Sequence, residues 1–252
     1  RILLNHHPFD ILALNETRLD ATISSDEMRI SGYDLVRFDR SRNGGGACIY
    51  LRSSLNYINR NDLIPLELEA VCVEIAKPNS RPFVVATIYR PPNSSPEYFD
   101  KLEKLIENID SEDKEFYVLG DLNCNWLQPT NSNTRRLSSF CDLYQLNQLI
   151  KQPTRITDTC SSLIDVLITN NQERIIKSGV CHIGISDHSL IFGIRKVNGA
   201  VKKPAKITYS RNFRFFNKNN FLSDLLSQPW SHIQAFGNPD QIWSAWKDMF
   251  MS

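Results

Sequence analysis

YVLGDLNCNW, residues 117–126, carries an apolar strand pattern directly into an acid and an amide, Asp121 and Asn123. Burying a carboxylate without a partner costs several kcal/mol of free energy, or the group becomes protonated instead. Asp121 must therefore be paired, coordinated or solvent-facing, although the strand before it belongs in a core. The stretch predicts a functional site at the end of a buried strand. In isolation, an Asx turn that closes the strand explains GDLN equally well.

Four other predicted strands are interrupted by polar side chains in the same way. The residues are Glu16 after ILALN, Tyr89 and Arg90 after VATI, Asp165 within SSLIDVLIT, and Asp187 and His188 before SLIFGIRK. Strand ends of this kind predict one shared polar cleft. Asp165 lies between Ile164 and Val166, so it needs a partner, and His188 is the candidate.

These residue types favour one chemistry. Carboxylates and an amide without a Cys/His cluster favour Mg²⁺, with Mn²⁺ as the alternative, over zinc. An Asp paired with a His can position or activate water, and Tyr and Asn can hold phosphate oxygens. Together they predict metal-assisted hydrolysis of a phosphodiester or phosphomonoester.

Hydrophobic periodicity predicts antiparallel hairpins interspersed with helices, which indicates a mixed sheet or two packed sheets with helices outside. Asn43-Gly44-Gly45-Gly46 predicts a hairpin turn; a strand follows it, so a phosphate-binding loop is disfavoured. Helices are predicted at 95–109 and 133–150, and strands at 161–169, 180–185 and 189–196.

The composition is that of a folded globular protein, with 252 residues, 41% hydrophobic and 23% charged. Apolar runs are far shorter than the roughly 18 residues of a membrane span, so no membrane partner is predicted. The six scattered cysteines are interpreted as reduced intracellular thiols. The first and last residues suggest a piece of a longer protein.

The charge of the chain is unevenly distributed. Eight of the 29 bases lie between Arg195 and Asn220 without any acid, so the remainder is net acidic. We predict a first domain over residues 1–196 and a basic linker with a helical segment over residues 197–252. Aromatic residues within the basic stretch could stack on an RNA template, while a solvated linker is the simpler interpretation.

The ordered motifs LNET (14–17), TIYRPP (87–92), GDLN (120–123), SLIDVLITN (162–170) and SDHS (186–189) resemble the endonuclease/exonuclease/phosphatase superfamily. Each motif alone is weak, but five in order between Phe9 and Ile194 are specific. YRPPN, GDLNCNW and IDVLITN are most similar to the endonuclease domain of LINE-type non-LTR retrotransposons. The resemblance implies an α/β fold of the α+β type, a four-layer sandwich of two packed mixed β-sheets flanked by helices.

The resemblance also implies roles for the residues. Glu16 and Asp187 would bind the metal, Tyr89 and Asn123 would contact the phosphate, Asp121 would orient or deprotonate water, and Asp165 would pair with His188. Arg90 and Ser162 are assigned to nucleic-acid binding, although Arg90 could equally solvate a strand end. The family opens with a strand bearing an Asn near the metal, and this strand is expected to be lacking here.

The implied function is nicking of double-stranded DNA to leave a 3′-hydroxyl that primes reverse transcription by a covalently linked reverse transcriptase. The implied location is intracellular, and nuclear when the protein acts on DNA. Two alternatives stay open. One is a phosphatase or phosphodiesterase of the same superfamily, and the other is a catalytically impaired relic that binds nucleic acid.

Overall fold

The computed structural model describes residues 9–77, 80–196 and 216–251. The chain divides into two compact units, Arg1–Ala200 and Val201–Ser252. The predicted boundary near residue 197 and most of the basic stretch lie within 197–215, outside the described residues, so they stay predictions.

The described residues of the first unit form thirteen strands: β1 Ile11–Asn15, β2 Tyr33–Phe38, β3 Ala47–Arg52, β4 Asn56–Asn59, β5 Ala70–Ala76, β6 Phe83–Ile88, β7 Glu115–Asp121, β8 Asn147–Gln148, β9 Arg155–Ile156, β10 Ser161–Ser162, β11 Asp165–Thr169, β12 Ile175–Cys181 and β13 Leu190–Arg195. They also form two α-helices, α1 Glu97–Asp110 and α2 Ser132–Leu143. Short 3₁₀ turns occur at Asn61–Leu63 and Gln172–Arg174.

Two main sheets build the first unit. The larger has the order β4-β5-β6-β7-β11-β8, and only its β6–β7 pair is parallel. The second has the order β1-β3-β2 and is antiparallel throughout. The expected mixed sheet is thus confirmed for the larger one, and the smaller one is purely antiparallel. Strands β12 and β13 form a separate antiparallel pair, as do β9 and β10.

The two main sheets pack face to face. Alternate side chains of β3 and β5, among them Ile49, Leu51, Val73 and Ile75, are fully buried in one apolar cluster. The sequences of these strands are nearly continuous apolar runs because protein packs against both faces of each strand. Of the two architectures that the hairpin pattern left open, the structure has the two packed sheets, as the family resemblance implied.

Helices α1 and α2 cover the other face of the six-stranded sheet. Phe99, Leu102, Leu105, Ile106 and Ile109 lie on one stripe of α1 and pack with Val84 and Phe116. This burial follows from the spacing of the apolar residues. Within the described residues, turns cover the outer face of the three-stranded sheet, and Tyr50 Oη donates to the Met28 carbonyl at 2.8 Å. The expected helices on that side are not seen there.

Three predicted elements have different bounds. The run 161–169 is split into β10 and β11, because the carbonyls of Leu163 and Ile164 accept bonds from Trp126 N and Leu122 N. The strand predicted at 180–185 is instead β12, Ile175–Cys181. Helix α2 ends at Leu143, since Gln145 adopts φ 53°.

Among the described residues, no helix is long and apolar enough to cross a membrane. None of the six cysteines forms a disulfide. Cys48, Cys72, Cys124 and Cys141 are buried, which is typical of cysteines that pack in a core. The second unit contains α3, Lys218–Ser227, a 3₁₀ turn at Trp230–Ala235 and α4, Pro239–Met251. The rings of Trp243, Trp246 and Phe250 stack along α4.

Candidate active site

Gly120 allows the end of β7 to take its position beside β6. Its φ is 143°, and a Cβ built there would lie 1.9 Å from the Ile88 carbonyl oxygen. Only glycine fits such a close approach of two backbones without displacement. The next residue, Asp121, is thereby held at the end of a buried strand, 6% exposed.

Asp121 and Asp165 face each other on adjacent strands. They are direct partners in the β7–β11 register. Asp121 N–H donates to Asn15 Oδ1 at 3.2 Å, and Asp165 N–H donates to Thr154 Oγ1 at 3.1 Å. Since neither N–H joins the ladder between the two acids, their side chains can approach closely.

His188 completes a three-residue group with these acids. Its Nδ1 lies 3.0 Å from Asp165 Oδ2 and 3.2 Å from Oδ1. One ligand atom of each of Asp121, Asp165 and His188 lies within 4.8 Å of the others. The pair of Asp165 and His188 predicted from the apolar run is therefore present.

Burial dominates the electrostatics of this group. Desolvation, with the Asp165 carboxylate as the second cause, raises the pKa of Asp121 to about 7. The hydrogen bond to Asp165 raises the pKa of His188, against the opposing effect of burial. The group thus combines a carboxylate that titrates near neutrality with an imidazole that holds its proton more tightly than usual.

Asn123 organises Asp121. Its backbone N–H donates to Asp121 Oδ1 at 2.9 Å, which is the Asx turn that the sequence allowed. Its Nδ2 donates to the Arg90 carbonyl at 2.8 Å and to Asp121 Oδ2 at 3.3 Å. Asn123 adopts φ 48°, a conformation that Asn tolerates better than most residues. Its two bonds to Asp121 hold the carboxylate in place, and its bond to the Arg90 carbonyl fixes the amide.

Glu16 and Tyr89 lie together on the neighbouring strand ends. Tyr89 Oη donates to Glu16 Oε1, and Arg18 Nη2 lies 3.8 Å from Glu16 Oε2. Glu16 has φ 52°, which is uncommon for a residue with a long side chain and marks strain. Burial raises the pKa of Tyr89, and Glu16 and Asp121 raise it further, so its hydroxyl stays a donor at neutral pH.

Asp187 is directed to a different partner. Arg155 Nε donates to Asp187 Oδ2 at 2.7 Å, and this bond lowers the pKa of Asp187. Asp187 is not one of the three clustered residues, so the structure does not bring it and Glu16 into one ligand group. Ser162 lines a pocket of about 210 Å³ with Arg155, Thr157 and Cys160.

Arg90 requires a correction. It was expected to contact DNA or to solvate a strand end, but it is 1% exposed. Its guanidinium lies 5.0 Å from the centre of the Phe99 ring and donates to the Leu122 carbonyl at 3.3 Å. The side chain packs under α1, because that helix supplies aromatic faces that a cation can stack on. Arg90 is therefore not on a surface that DNA could reach.

The donor set fits a divalent cation. Two carboxylates, Asp121 and Asp165, converge in one group, and burial together with the charge of Asp165 raises the pKa of Asp121; a divalent cation bound there would offset this negative charge. Oxygen donors of this kind suit Mg²⁺ or Mn²⁺. Glu16 adds a third carboxylate close enough to raise the pKa of Asp121.

Three residues that support the site were not predicted. Asn15 bridges Asp121 N–H and Thr87 Oγ1, the latter at 3.2 Å. Asn125 Oδ1 accepts from Leu163 N–H at 3.0 Å. Thr154 accepts from the N–H of Asp165. Asn15 and Asn125 stand inside the quoted motifs and could have been singled out, whereas nothing in the sequence marks Thr154.

Comparison with solved structures shows the same fold in several nucleases. The endonuclease domain of TRAS1, a telomere-specific non-LTR retrotransposon, aligns with a TM-score of 0.64 at 16% identity, covering 79% of this chain and 91% of that one. A 3′ phosphatase, NExo from Neisseria, bound to a product DNA hairpin, aligns with a TM-score of 0.61 at 15% identity, covering 78% and 92%. An AP endonuclease from Archaeoglobus fulgidus aligns with a TM-score of 0.56 at 14% identity, covering 78% and 92%.

Among curated proteins, no sequence matches the chain significantly. Residues 1–188 match the family described as "Endonuclease/Exonuclease/phosphatase family", which spans more than half of the chain and nearly all of the first unit. The chain belongs to the endonuclease/exonuclease/phosphatase family.

Proposed function

We propose that this protein is a metal-dependent DNA endonuclease that hydrolyses one phosphodiester bond of a duplex. The observation that carries the proposal is the convergence of Asp121, Asp165 and His188 at the ends of buried strands. A carboxylate whose pKa is about 7 is matched to general-base work near neutral pH. Membership of a family of phosphate-ester hydrolases agrees with this chemistry.

Asp121 accepts the proton of the attacking water at its carboxylate. Asn123 holds that carboxylate through two bonds, at 2.9 and 3.3 Å, so the oxygen that faces the water is fixed before the substrate binds. Tyr89 presents a hydroxyl that remains protonated at neutral pH and can donate to a phosphate oxygen.

His188 supplies positive charge to the phosphate. Asp165 binds its Nδ1, which fixes the ring and leaves Nε2 as the atom that can donate to a phosphate oxygen. Since this pairing raises the pKa of His188, the imidazole carries its proton over more of the neutral range. The charge of the imidazolium offsets negative charge that develops on the phosphate.

A bound Mg²⁺ or Mn²⁺ would offset charge on the phosphate and on the leaving oxygen. Glu16 is the carboxylate that we propose to hold it, with Asp187 as a further acid. For Asp187 this requires release from Arg155, to which it is bonded at 2.7 Å. Manganese binding measured by electron paramagnetic resonance would test the assignment, because Glu16→Gln should weaken it more than Asp187→Asn.

We also propose that the nick leaves a 3′-hydroxyl that primes reverse transcription by a linked reverse transcriptase, which places the reaction in the nucleus. The support is the fold shared with the TRAS1 retrotransposon endonuclease domain and the YRPPN, GDLNCNW and IDVLITN motifs. An RNA template is the proposed partner of the basic stretch. Its binding is tested by the salt dependence of RNA affinity with and without residues 197–215.

The test of the main proposal is nicking of supercoiled plasmid with Mg²⁺, followed by analysis of the new ends. A DNA ligase joins a 3′-hydroxyl to a 5′-phosphate. Once the 5′-phosphate at the nick has been confirmed, sealing by the ligase would therefore establish a 3′-hydroxyl end. Nicking abolished by EDTA and by Asp121→Asn is the expected result. No nicking by the wild-type protein, together with retained DNA binding, would instead favour the catalytically impaired relic.

A 3′-phosphatase is the second candidate, favoured by the fold shared with the Neisseria 3′ phosphatase. Both activities break a bond at phosphorus and would use the same group of Asp121, Asp165 and His188. An oligonucleotide with a 3′-phosphate separates them. Release of inorganic phosphate without cleavage of an intact duplex would favour the phosphatase.

A further inference from the structure

Thr154 is a fully buried residue between β8 and β9 that connects to the site through its hydroxyl. Its exposed fraction is 0%. Thr154 Oγ1 accepts the N–H of Asp165 at 3.1 Å and that of Ile164 at 3.2 Å. A hydroxyl oxygen has two lone pairs, and here both serve the segment that carries Asp165.

The backbone of Thr154 binds two further segments. Its N–H donates to the Ser162 carbonyl at 2.8 Å, and its carbonyl accepts from Ser189 N–H at 2.7 Å. Ser189 directly follows His188. One buried residue is therefore bonded both to Asp165 and to the residue next to its imidazole partner.

The bond to Asp165 N–H fills a position that the sheet leaves open. Strand β11 begins at Asp165, and this N–H is not used toward β7. Asp121 is anchored in the same manner, because its N–H donates to Asn15 Oδ1 at 3.2 Å. Each acid is thus fixed by a side chain from outside the sheet, and buried N–H groups of this kind need such an acceptor.

We propose that Thr154 is a positioning residue that holds the Asp165 carboxylate against His188 Nδ1. The inference deepens the proposed hydrolysis and rests on it for its effect on turnover. Thr154 itself touches no substrate. Its hydroxyl fixes the backbone of Asp165, and its carbonyl fixes the backbone beside His188, so that the distance of 3.0 Å between Asp165 Oδ2 and His188 Nδ1 is set from both sides.

The test compares three variants with a matched control. Thr154→Val keeps the shape and removes the acceptor, Thr154→Ser keeps the acceptor, and Thr154→Ala removes it without a branched side chain. The control is Thr169→Val at the other end of β11. Thr169 is also 0% exposed, and its Oγ1 accepts one backbone N–H, that of Asn171, at 3.1 Å.

Turnover in the nicking assay should fall about 10- to 100-fold in Thr154→Val, with the KM for DNA within about twofold, as for other residues that orient a catalytic group. Thr154→Ser should restore turnover to within about threefold of wild type. Thr169→Val should lower thermal stability while turnover per folded molecule stays unchanged. Equal turnover in Thr154→Val and Thr169→Val would overturn the proposal.

A second measurement does not depend on activity. The downfield imidazole N–H proton of His188, observed by NMR in ¹⁵N-histidine-labelled protein, reports its bond to Asp165. It should be present in wild type, Thr154→Ser and Thr169→Val, and lost or shifted in Thr154→Val. Should that variant not fold, Thr154→Ala takes its place, and amide hydrogen exchange at Asp165 should be faster in it than in Thr154→Ser.

The nicking assay and the NMR measurement distinguish failure of the proposed function from failure of the positioning role. Wild-type protein that does not nick DNA refutes the proposed function, and the NMR arm still decides the role of Thr154. An unchanged His188 signal in Thr154→Val refutes the positioning role, whatever the activity. A lost signal with turnover unchanged refutes the claim that this positioning serves hydrolysis.

Discussion

Replacing Asp121 by Asn should make the metal-free protein more stable at alkaline pH while it abolishes catalysis. Burial raises the pKa of Asp121 from its ordinary 3.8 to about 7. The folded protein therefore binds this proton more tightly than the unfolded chain, and ionisation of Asp121 opposes folding. The cost is absent below about pH 3, where both states are protonated, and it is complete above about pH 8.

The magnitude follows from the size of the shift. About three pKa units at about 1.4 kcal/mol each give about 4 kcal/mol as an upper bound. Asn at this position keeps an acceptor oxygen for Asn123 N–H, so that bond is retained. We expect a gain of about 2–4 kcal/mol in the free energy of unfolding at pH 8, and a gain of only about 0.5 kcal/mol at pH 4.

The assay is urea unfolding in EDTA, followed by far-UV circular dichroism at pH 4, 6 and 8. Asp26→Asn, at an exposed position, is the matched control and should change stability by less than about 0.5 kcal/mol at each pH. Added Mg²⁺ should narrow the gap at pH 8 by stabilising only the wild type. A variant no more stable than wild type at pH 8, or equally stabilised at pH 4, would contradict a raised pKa of Asp121 in the folded protein.

Three further changes test the fold and the site. Gly120→Ala should lower the free energy of unfolding by more than about 3 kcal/mol in urea, since its Cβ would lie 1.9 Å from the Ile88 carbonyl oxygen. Gly32→Ala is the control: it has φ 80° but open space around the Cβ, and it should cost about 1 kcal/mol. Arg195→Met removes bonds of 2.7 and 2.8 Å to Glu115, whose remaining partners are the Tyr117 hydroxyl and Arg174 at 4.0 Å, and should cost about 3 kcal/mol. Glu115→Gln in the same chain should recover part of this loss, because it removes the poorly balanced carboxylate. No recovery would contradict that carboxylate as the cause. Tyr89→Phe should reduce nicking about 10- to 100-fold and stability by less than about 1.5 kcal/mol, and unaltered nicking would exclude the hydroxyl from the site.

The sequence predicts the site best where a polar residue contradicts its surroundings. Asp165, between two apolar residues, needed a partner, and His188 lies 3.0 Å away. Asp121 at the end of YVLGD was expected to be paired, coordinated or solvent-facing; it is buried, and Asn123 N–H donates to its carboxylate. The cost of an unpaired buried carboxylate is large enough to be read from a single sequence, so these residues were found.

Residues whose partners come from distant segments could not be assigned in the same way. Arg90 follows a strand and looked exposed, but α1 supplies Phe99 to cover it. Asp187 stands next to His188 in the sequence, but its partner is Arg155 of β9, and nothing in the sequence indicates that ion pair. Thr154 accepts from a residue eleven positions further along the chain, and its loop has no periodicity that indicates burial.

The rate of plasmid nicking with Mg²⁺ in wild type, Asp121→Asn and His188→Ala is the decisive measurement for the proposed endonuclease. Asp26→Asn serves as the control. We expect Mg²⁺-dependent nicking by wild type and control, a loss of at least about 1,000-fold in Asp121→Asn, and a large loss in His188→Ala. Nicking that survives in Asp121→Asn, or that persists in EDTA, would contradict the proposal.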